Sequence, residues 1–499
     1  MIRKLLSLFI LLSCSFALTS CSGLSDVPGG CIANCNGGGG GGGGNGSATV
    51  SVDLQAIPFT TQPANFTLLS FSANIVQASL VPASGNAINF APSGTFTVDF
   101  TRLQSDSISL GTAAAPAGTY TGLNLTLSNA TITYCVQTNP GVPGCAAGTI
   151  ATLSGGALAP ALIFAQPLTL TSGQLTGIAA SFNIGNALTI SAQNVPTFNA
   201  AAINVLTSAT LPSALTSLPT PATQLDYIED ISGIVTFISN TSISLQTGTR
   251  GAFTATFNSG TIIPAACANI SITACAPLSS FVNIDAILNN DGTFAVVQLD
   301  PILATNDDWI EGTVTTLPTV FNQFQIVAND LTLSTATSLV GAGGLPLGTL
   351  VNVNISTNPT FFVDDRGLLI PAGSNFSGAT VATNVIFPGQ MIAVRVKQFT
   401  SPTGTPLAAT VTTDTVGLRY SRVNGVANAV NGGQFSIQGL PSLFGATFPL
   451  EVQLTSGTPA TNYDGVAGSN SLVVGSPYSI RALYFNIAPN FTAAKVRAN

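Results

Sequence analysis

The residues best equipped for chemistry in this chain are a few carboxylates. Asn306-Asp307-Asp308-Trp309-Ile310-Glu311 gathers three acids around the only tryptophan, Asp364-Asp365-Arg366-Gly367 brings two more together, and Asp226, Glu229 and Asp230 form a third group. Paired carboxylates can run glycoside hydrolysis, one as acid and the other as base or nucleophile, or can ligate calcium together with backbone carbonyls. Hydrolysis requires the two groups to face each other about 5 Å or more apart across a substrate, which adjacency in sequence does not supply. None of the groups has the spaced acidic loop of an EF-hand. Asp364-Asp365-Arg366-Gly367 and Asn290-Asp291-Gly292 read more simply as hairpin turns, where Asp and Asn tolerate left-handed backbone and Gly accepts it freely. Asp307, Asp308, Trp309, Asp364 and Asp365 are therefore the candidate ligand or metal residues. Calcium is the one cofactor they would suit, and no catalytic residue is assigned.

Composition narrows the chemistry further. The 499 residues contain no histidine, which removes Ser-His-Asp and Cys-His nucleophile activation, imidazole metal sites and the usual near-neutral proton shuttle. Twelve Lys+Arg stand against nineteen Asp+Glu, so there is no basic footprint for a phosphate backbone and nucleic-acid binding is excluded. Charged residues make up 6% of the chain and hydrophobic ones 45%, the reverse of the balance that keeps a chain disordered. A sugar site built on aromatic platforms would fall to Trp309 and the tyrosines. The 28 phenylalanines lack a polar handle and read as core.

Met1-Ile2-Arg3-Lys4, the largely apolar run Leu5 to Leu18, and Thr19-Ser20-Cys21 have the three regions of an export signal. Leu18-Thr19-Ser20-Cys21 resembles the bacterial lipobox, which implies lipidation of Cys21 and residues 1–20 as the signal peptide. Ser22 follows the cysteine, where the resemblance would place Asp for inner-membrane retention, so an outer-membrane lipoprotein facing the periplasm or the cell surface is expected. No later stretch reaches 18 consecutive apolar residues, leaving the lipid as the expected membrane contact. Cys14 falls within the signal. The remaining six cysteines form near neighbours, Cys31 with Cys35, Cys135 with Cys145 and Cys267 with Cys275. In an exported chain these read as disulfides; a thiolate metal site is the alternative.

Gly37 to Gly44 is an unbroken glycine run, a flexible coil, so residues 21–47 read as a tether. From Thr49 the apolar period is two: Val50, Val52 and Leu54 alternate with Ser51 and Asp53, and Leu123, Leu125 and Leu127 alternate with Asn124 and Thr126. Residues 48–205 are expected to form a β-sandwich, with a short helix near Ala157 to Phe164 as its one exception. Residues 206–226, rich in Pro, Ser and Thr, read as a linker.

The rest repeats three times. Each copy opens on an apolar-x-Gly strand: Ile231-Ser232-Gly233, Ile310-Glu311-Gly312 and Val423-Asn424-Gly425. A short alternating pair follows, at Ile243-Ser244-Leu245, Phe324-Gln325-Ile326 and Phe435-Ser436-Ile437. A small residue, Ser279, Gly389 or Gly475, then stands three positions before a longer strand at Val282, Ile392 or Tyr478. Ala-rich or Val-rich strands close the copies at Val296 to Leu299, Ala408 to Val411 and Ala493 to Val496. The modules are placed at 227–303, 304–417 and 418–499, the middle one carrying an insertion between Leu333 and Thr383.

Pro116-Ala117-Gly118-Thr119-Tyr120, leading into the Leu123-Leu125-Leu127 strand, resembles a stretch of an uncharacterised bacterial lipoprotein domain family with a transthyretin-like (prealbumin-like) sandwich, over roughly residues 48 to 200. The three repeats look like a second family of unknown function, a small all-β module of exported proteins. Neither resemblance implies catalytic residues. The expectation is an all-β chain, a sandwich followed by a tandem array of three small β-barrel or sandwich modules. Its expected role is a non-enzymatic structural or binding one in the cell envelope, with a glycan or an envelope protein as partner. A carbohydrate-binding surface lipoprotein and a carboxylate-dependent hydrolase are the alternatives.

Overall fold

The computed structural model describes residues 46–499 apart from 91–95, 138, 140, 147–148, 207–226, 248–250, 264–266, 268–269, 290, 303–306, 319–322, 335–336, 366, 446–447 and 458–459. The expected signal, Cys21, the Cys31 and Cys35 pair, the glycine run, residues 207–226 of the linker, and Asn290 and Arg366 of the expected turns lie outside these residues. The chain is all-β. Among the described residues the helices are single turns, α1 (Ile184–Ala187), α2 (Ile272–Cys275) and α3 (Leu339–Gly343), besides short 3-10 turns.

The first module contains β1 (Ser47–Ile57), β2 (Phe66–Pro82), β3 (Ile88–Asn89), β4 (Phe96–Asp99), β5 (Ile108–Pro116), β6 (Gly118–Val136), β7 (Ile150–Leu158), β8 (Ala161–Leu170), β9 (Leu175–Asn183), β10 (Leu188–Ile190), β11 (Pro196–Phe198) and β12 (Ile203–Leu206). One sheet has the order β5-β1-β9; the other runs β12-β8-β6-β2-β3, with β4 on β2 and β7 on β6. Val50, Val52 and Leu54 from the first sheet and Leu123, Leu125 and Leu127 from the second share one core, as a period of two requires. Where a helix was expected near Ala157 to Phe164, the chain instead forms the end of β7 and the start of β8. Leu158, Pro160, Leu162 and Phe164 are buried at alternate positions, and Pro160, which lacks an N–H, sits at the corner where a helix would have needed that donor. Pro116 to Tyr120 forms the corner from β5 to β6. There the Tyr120 hydroxyl donates to the Pro116 carbonyl at 2.7 Å.

The repeats are barrels. β13 (Tyr227–Ile238), β14 (Ser242–Thr247), β15 (Gly251–Thr256), β16 (Phe281–Leu288) and β17 (Phe294–Ile302) close in the order β13-β14-β15-β17-β16. The second barrel has β18 (Trp309–Val314), β19 (Gln323–Thr332), β20 (Leu350–Val363), β21 (Met391–Arg395), β22 (Gln398–Thr403) and β23 (Ala408–Arg419). The third has β24 (Ser421–Asn431), β25 (Gln434–Gln438), β26 (Leu450–Leu454), β27 (Asn462–Asp464), β28 (Pro477–Tyr484) and β29 (Phe491–Ala498). In each, the third strand and the closing strand pair in parallel: β15 with β17, β20 with β23, β26 with β29. In the middle barrel, the chain between β19 and β21 contains α3, the 14-residue β20 and a loop over 364–390. A hairpin strand on β23, β22, is a further addition.

The repeated sequence features have repeated causes. A Cβ on Gly233, Gly312 or Gly425 would meet a backbone carbonyl oxygen of the neighbouring strand, that of Gln246, Val327 or Gln438 respectively, so each glycine permits a close approach of two strands. Ser279, Gly389 and Gly475 have φ of 67°, 88° and 85°. Their N–H groups donate to the carbonyls of Val235, Val314 and Ala427 at 2.9, 2.9 and 2.8 Å. The small residue is thus a left-handed corner tied to the opening strand, two residues beyond its glycine.

Disulfides join Cys135 to Cys145 and Cys267 to Cys275. The second closes the α2 loop onto the core of the first barrel. The first packs against Val327, Leu350 and Leu443 of the second and third barrels, where the N–H groups of Gly144 and Cys145 reach the carbonyls of Leu443 and Thr315 at 2.8 and 2.7 Å. Replacing Cys135 and Cys145 together by Ala is expected to lower stability by about 2 to 3 kcal/mol through loop entropy. Denaturant unfolding of the double variant beside the parent checks this; coincident curves would mean that the loop is held by its other contacts.

Candidate binding cleft between the first two barrels

Ion pairs among the described residues both join neighbouring modules and brace single barrels. Residues 101–107 of the sandwich pass between the second and third barrels and carry Arg102, Gln104 and Asp106. Asp106 is buried, with its carboxylate 2.7 Å from the Arg422 Nη2 and 3.3 Å from the Arg481 Nε. Arg422 also donates to Glu311 at 3.0 Å, and Glu311 accepts from Arg419 at 3.0 Å. Arg419 in turn pairs with Asp364, and Arg102 with Asp330. On the far side, Arg497 donates to the carbonyls of Leu103 and Gln104, both at 3.1 Å, and to Asp464 at 2.8 Å. Arg481 lies 4.6 Å over the ring of Tyr420. Every Lys and Arg among the described residues is ion-paired, Arg395, Lys397 and Lys495 completing the set.

The register explains this placement. In each opening strand the residue before the glycine faces out of its barrel while its neighbours fill the core. Ile310 is buried in the core and Glu311 points outward to Arg419 and Arg422. Asn424 likewise contacts Gln104. In the strands that precede the closing ones, Asn283 and Asp285 of β16 and Ser479 and Arg481 of β28 are outward and yet buried. Three barrels built on one interior therefore present three different polar exteriors.

Two of these exteriors face each other across a cleft of about 330 Å³. One wall comes from the first barrel: Asn283 and Asp285 on β16, and Gln298 and Asp300 on β17, with Asn283 opposite Asp300 and Asp285 opposite Gln298. The facing wall is the outer surface of the second barrel, where Trp309 and Glu311 on β18 stand opposite Thr332 and Asp330 on β19. Trp309 is half-buried and meets the Phe362 ring edge to face, with centroids 6.3 Å apart and planes at 90°. Phe362 lies over Gly417, where any side chain would displace its ring. Asp307 lies at the rim, paired with Lys397 and with Arg395. Arg395 makes a two-pronged pair with Asp414, both distances 2.9 Å. Burial raises the Asp414 pKa, but the Arg395 fork, the Thr415 hydroxyl and the Lys397 charge outweigh it and hold the carboxyl below its ordinary value.

The structure separates the five candidate residues. Asp307 and Trp309 line the cleft. Asp308 is buried and faces the other way, accepting from the Ser334 N–H, the Ser334 hydroxyl and the Val340 N–H at 2.8, 3.0 and 2.8 Å, so it fastens the segment leading into α3. Asp364 is spent on Arg419. Asp365 accepts from the Gly367 N–H at 2.8 Å, and Gly367 has φ of 86°, the local turn expected. It is not a hairpin, because β20 enters the 364–390 loop and the next strand, β21, pairs with β18 and β23. Asp291 and Gly292 do lie between the paired strands β16 and β17, with the Asp291 carboxylate accepting from the Thr293 N–H at 3.0 Å. Among the described residues no group of three Cys, Asp or Glu is placed to hold a metal ion. Asp226 and the side chains of Glu229 and Asp230 lie outside the described ones.

Sequence reading passed over Asp285, Asp300, Asp330, Phe362 and Arg419. The available signal was the Asn283-Ile284-Asp285 alternation, which puts polar groups on the outward face of a strand whose barrel is closed. No protein-family model matches the chain, and no characterised protein matches it in sequence.

Proposed function

We propose that this is an exported, lipid-anchored protein of the cell envelope with a non-catalytic binding or structural role. The observation that carries the reading is the use made of charge: acidic and basic side chains that could do chemistry are paired with one another, across module boundaries from Asp106 to Arg422 and from Arg422 to Glu311, and within the second barrel from Glu311 to Arg419 and on to Asp364. Two disulfides support an oxidising compartment, and the lipobox-like Leu18-Thr19-Ser20-Cys21 supports anchoring at Cys21 in the outer membrane.

The test is metabolic labelling with a radiolabelled fatty acid, followed by membrane fractionation. The parent is expected to carry label and sediment with membranes, and Cys21→Ala is expected to lose both. Label retained by Cys21→Ala would overturn the anchor. Protease treatment of intact cells then separates display at the surface from a periplasmic orientation.

A further inference from the structure

We infer that the second and third barrels share a docking interface for the sandwich that holds without the chain between them, so that the three stay one particle when the chain is cut on both sides of the first barrel. This interface stands apart from the envelope role proposed above and does not depend on the lipid anchor. Its contacts join residues far apart in sequence. The Thr133 hydroxyl donates to the Gly348 carbonyl at 2.6 Å across 215 positions, and Arg422 donates to Asp106 at 2.8 Å across 316. A loop of that length keeps its ends together only weakly, so the two surfaces must carry the contact themselves.

The contact has the make-up of an interface between separate proteins, an apolar centre with polar pairs beside it. The centre is Leu69, Ile150 and the Cys135–Cys145 disulfide of the sandwich against Val327 and Leu350 of the second barrel and Leu443 of the third. Asn329 donates to the Leu69 carbonyl at 2.9 Å and to Asp99 at 2.8 Å, and the Thr67 and Ser442 hydroxyls lie 3.2 Å apart. The fit is close: Gly445 has φ of 60°, and a Cβ there would strike the Pro143 backbone. Residues 101–107 of the sandwich supply specificity. Three arginines from three strands of the third barrel converge on this segment, Arg422 of β24 and Arg481 of β28 on the Asp106 carboxylate, Arg497 of β29 on the Leu103 and Gln104 carbonyls. The chain has only twelve Lys and Arg, so committing three of them to one segment marks it as the recognised one. Their side chains are 5%, 5% and 7% exposed, and a partner without the carboxylate would leave buried cations short of counter-charge.

The test uses the full-length protein, purified in detergent, with one site-specific protease sequence placed within residues 207–226 and a second within 303–306, both cut after folding. The sandwich, the first barrel and the pair of later barrels are then separate chains. Size-exclusion chromatography is expected to return the sandwich and the 307–499 fragment in one peak. In Asp106→Ala and in Arg497→Ala, the share of that fragment eluting free of the sandwich on equal dilution should rise about ten-fold or more, while the uncut variants elute with the uncut parent. Elution of the parent's 307–499 fragment apart from the sandwich would overturn the inference, and so would both variants holding the fragment as tightly as the parent does. The parent measurement needs no substitution, so a variant that fails to fold leaves the test standing. Fatty-acid labelling at Cys21 is a separate readout, so failure of the interface and failure of the envelope assignment are told apart.

Discussion

Asp106→Ala is expected to destabilise the protein by about 3 to 5 kcal/mol, the range for removing one partner of a buried ion pair. Asp106 and Arg422 are both nearly inaccessible, at 3% and 5% side-chain exposure, and Arg481 shares the same carboxylate. Without it, Arg481 keeps the Tyr420 ring and Arg422 keeps Glu311, yet both cations stay in a site that water does not reach. The loss should appear first where modules meet. Urea unfolding followed by circular dichroism should show a lower midpoint, and limited proteolysis should release a barrel fragment under conditions where the parent is intact. Replacing Asp106 and both arginines by apolar residues of similar volume should recover much of the loss, because the cost lies in the orphaned charge. A single Asp106→Ala variant as stable as its parent would show that the two arginines find water after all.

The second large effect is expected at Gly389. Its φ of 88° suits glycine, and a Cβ there would come within 2.5 Å of the Phe444 ring of the third barrel. Gly389→Val combines a β-branched residue in left-handed backbone with an overpacked contact, each costing roughly 1 to 3 kcal/mol. We expect a loss of about 3 to 5 kcal/mol. Gly404 is the control: its φ is also 88°, but a Cβ there would meet only the Pro406 carbonyl oxygen, at 3.6 Å. Gly404→Val should show the backbone cost alone. Equal midpoints for the two variants in chemical denaturation would remove Phe444 from the explanation.

Much of the fold is legible in the sequence because it depends on local rules. Alternation at Val50-Val52-Leu54 sets which face of a strand is buried, and the three glycines and three small residues of the repeats mark positions where backbone geometry admits little else. The error at Ala157 to Phe164 came from reading a short apolar run without its period; Leu158, Leu162 and Phe164 are two or four apart, which suits a strand as well as a helix turn. The cleft is less legible. Trp309 and Asp307 stand out by type, but their partners Asp285 and Asp300 come from another barrel, and no spacing rule connects residues brought together by module packing. Asp308 illustrates the opposite failure: adjacent to Asp307 in sequence, it points into the fold and serves α3, because neighbours on an extended chain face opposite ways.

The left-handed corners and strand-contact glycines recur at matching positions in all three barrels, while the outward residues at Asp285, Arg395 and Arg481 differ in sign. The interior grammar makes the barrels equivalent as folding units, and the exterior makes them unequal as neighbours. Exchanging the first and third barrels along the chain would set Asp285 against Asp106 where Arg481 now stands. Module order in this protein is thus written in electrostatics, and each barrel carries its own address.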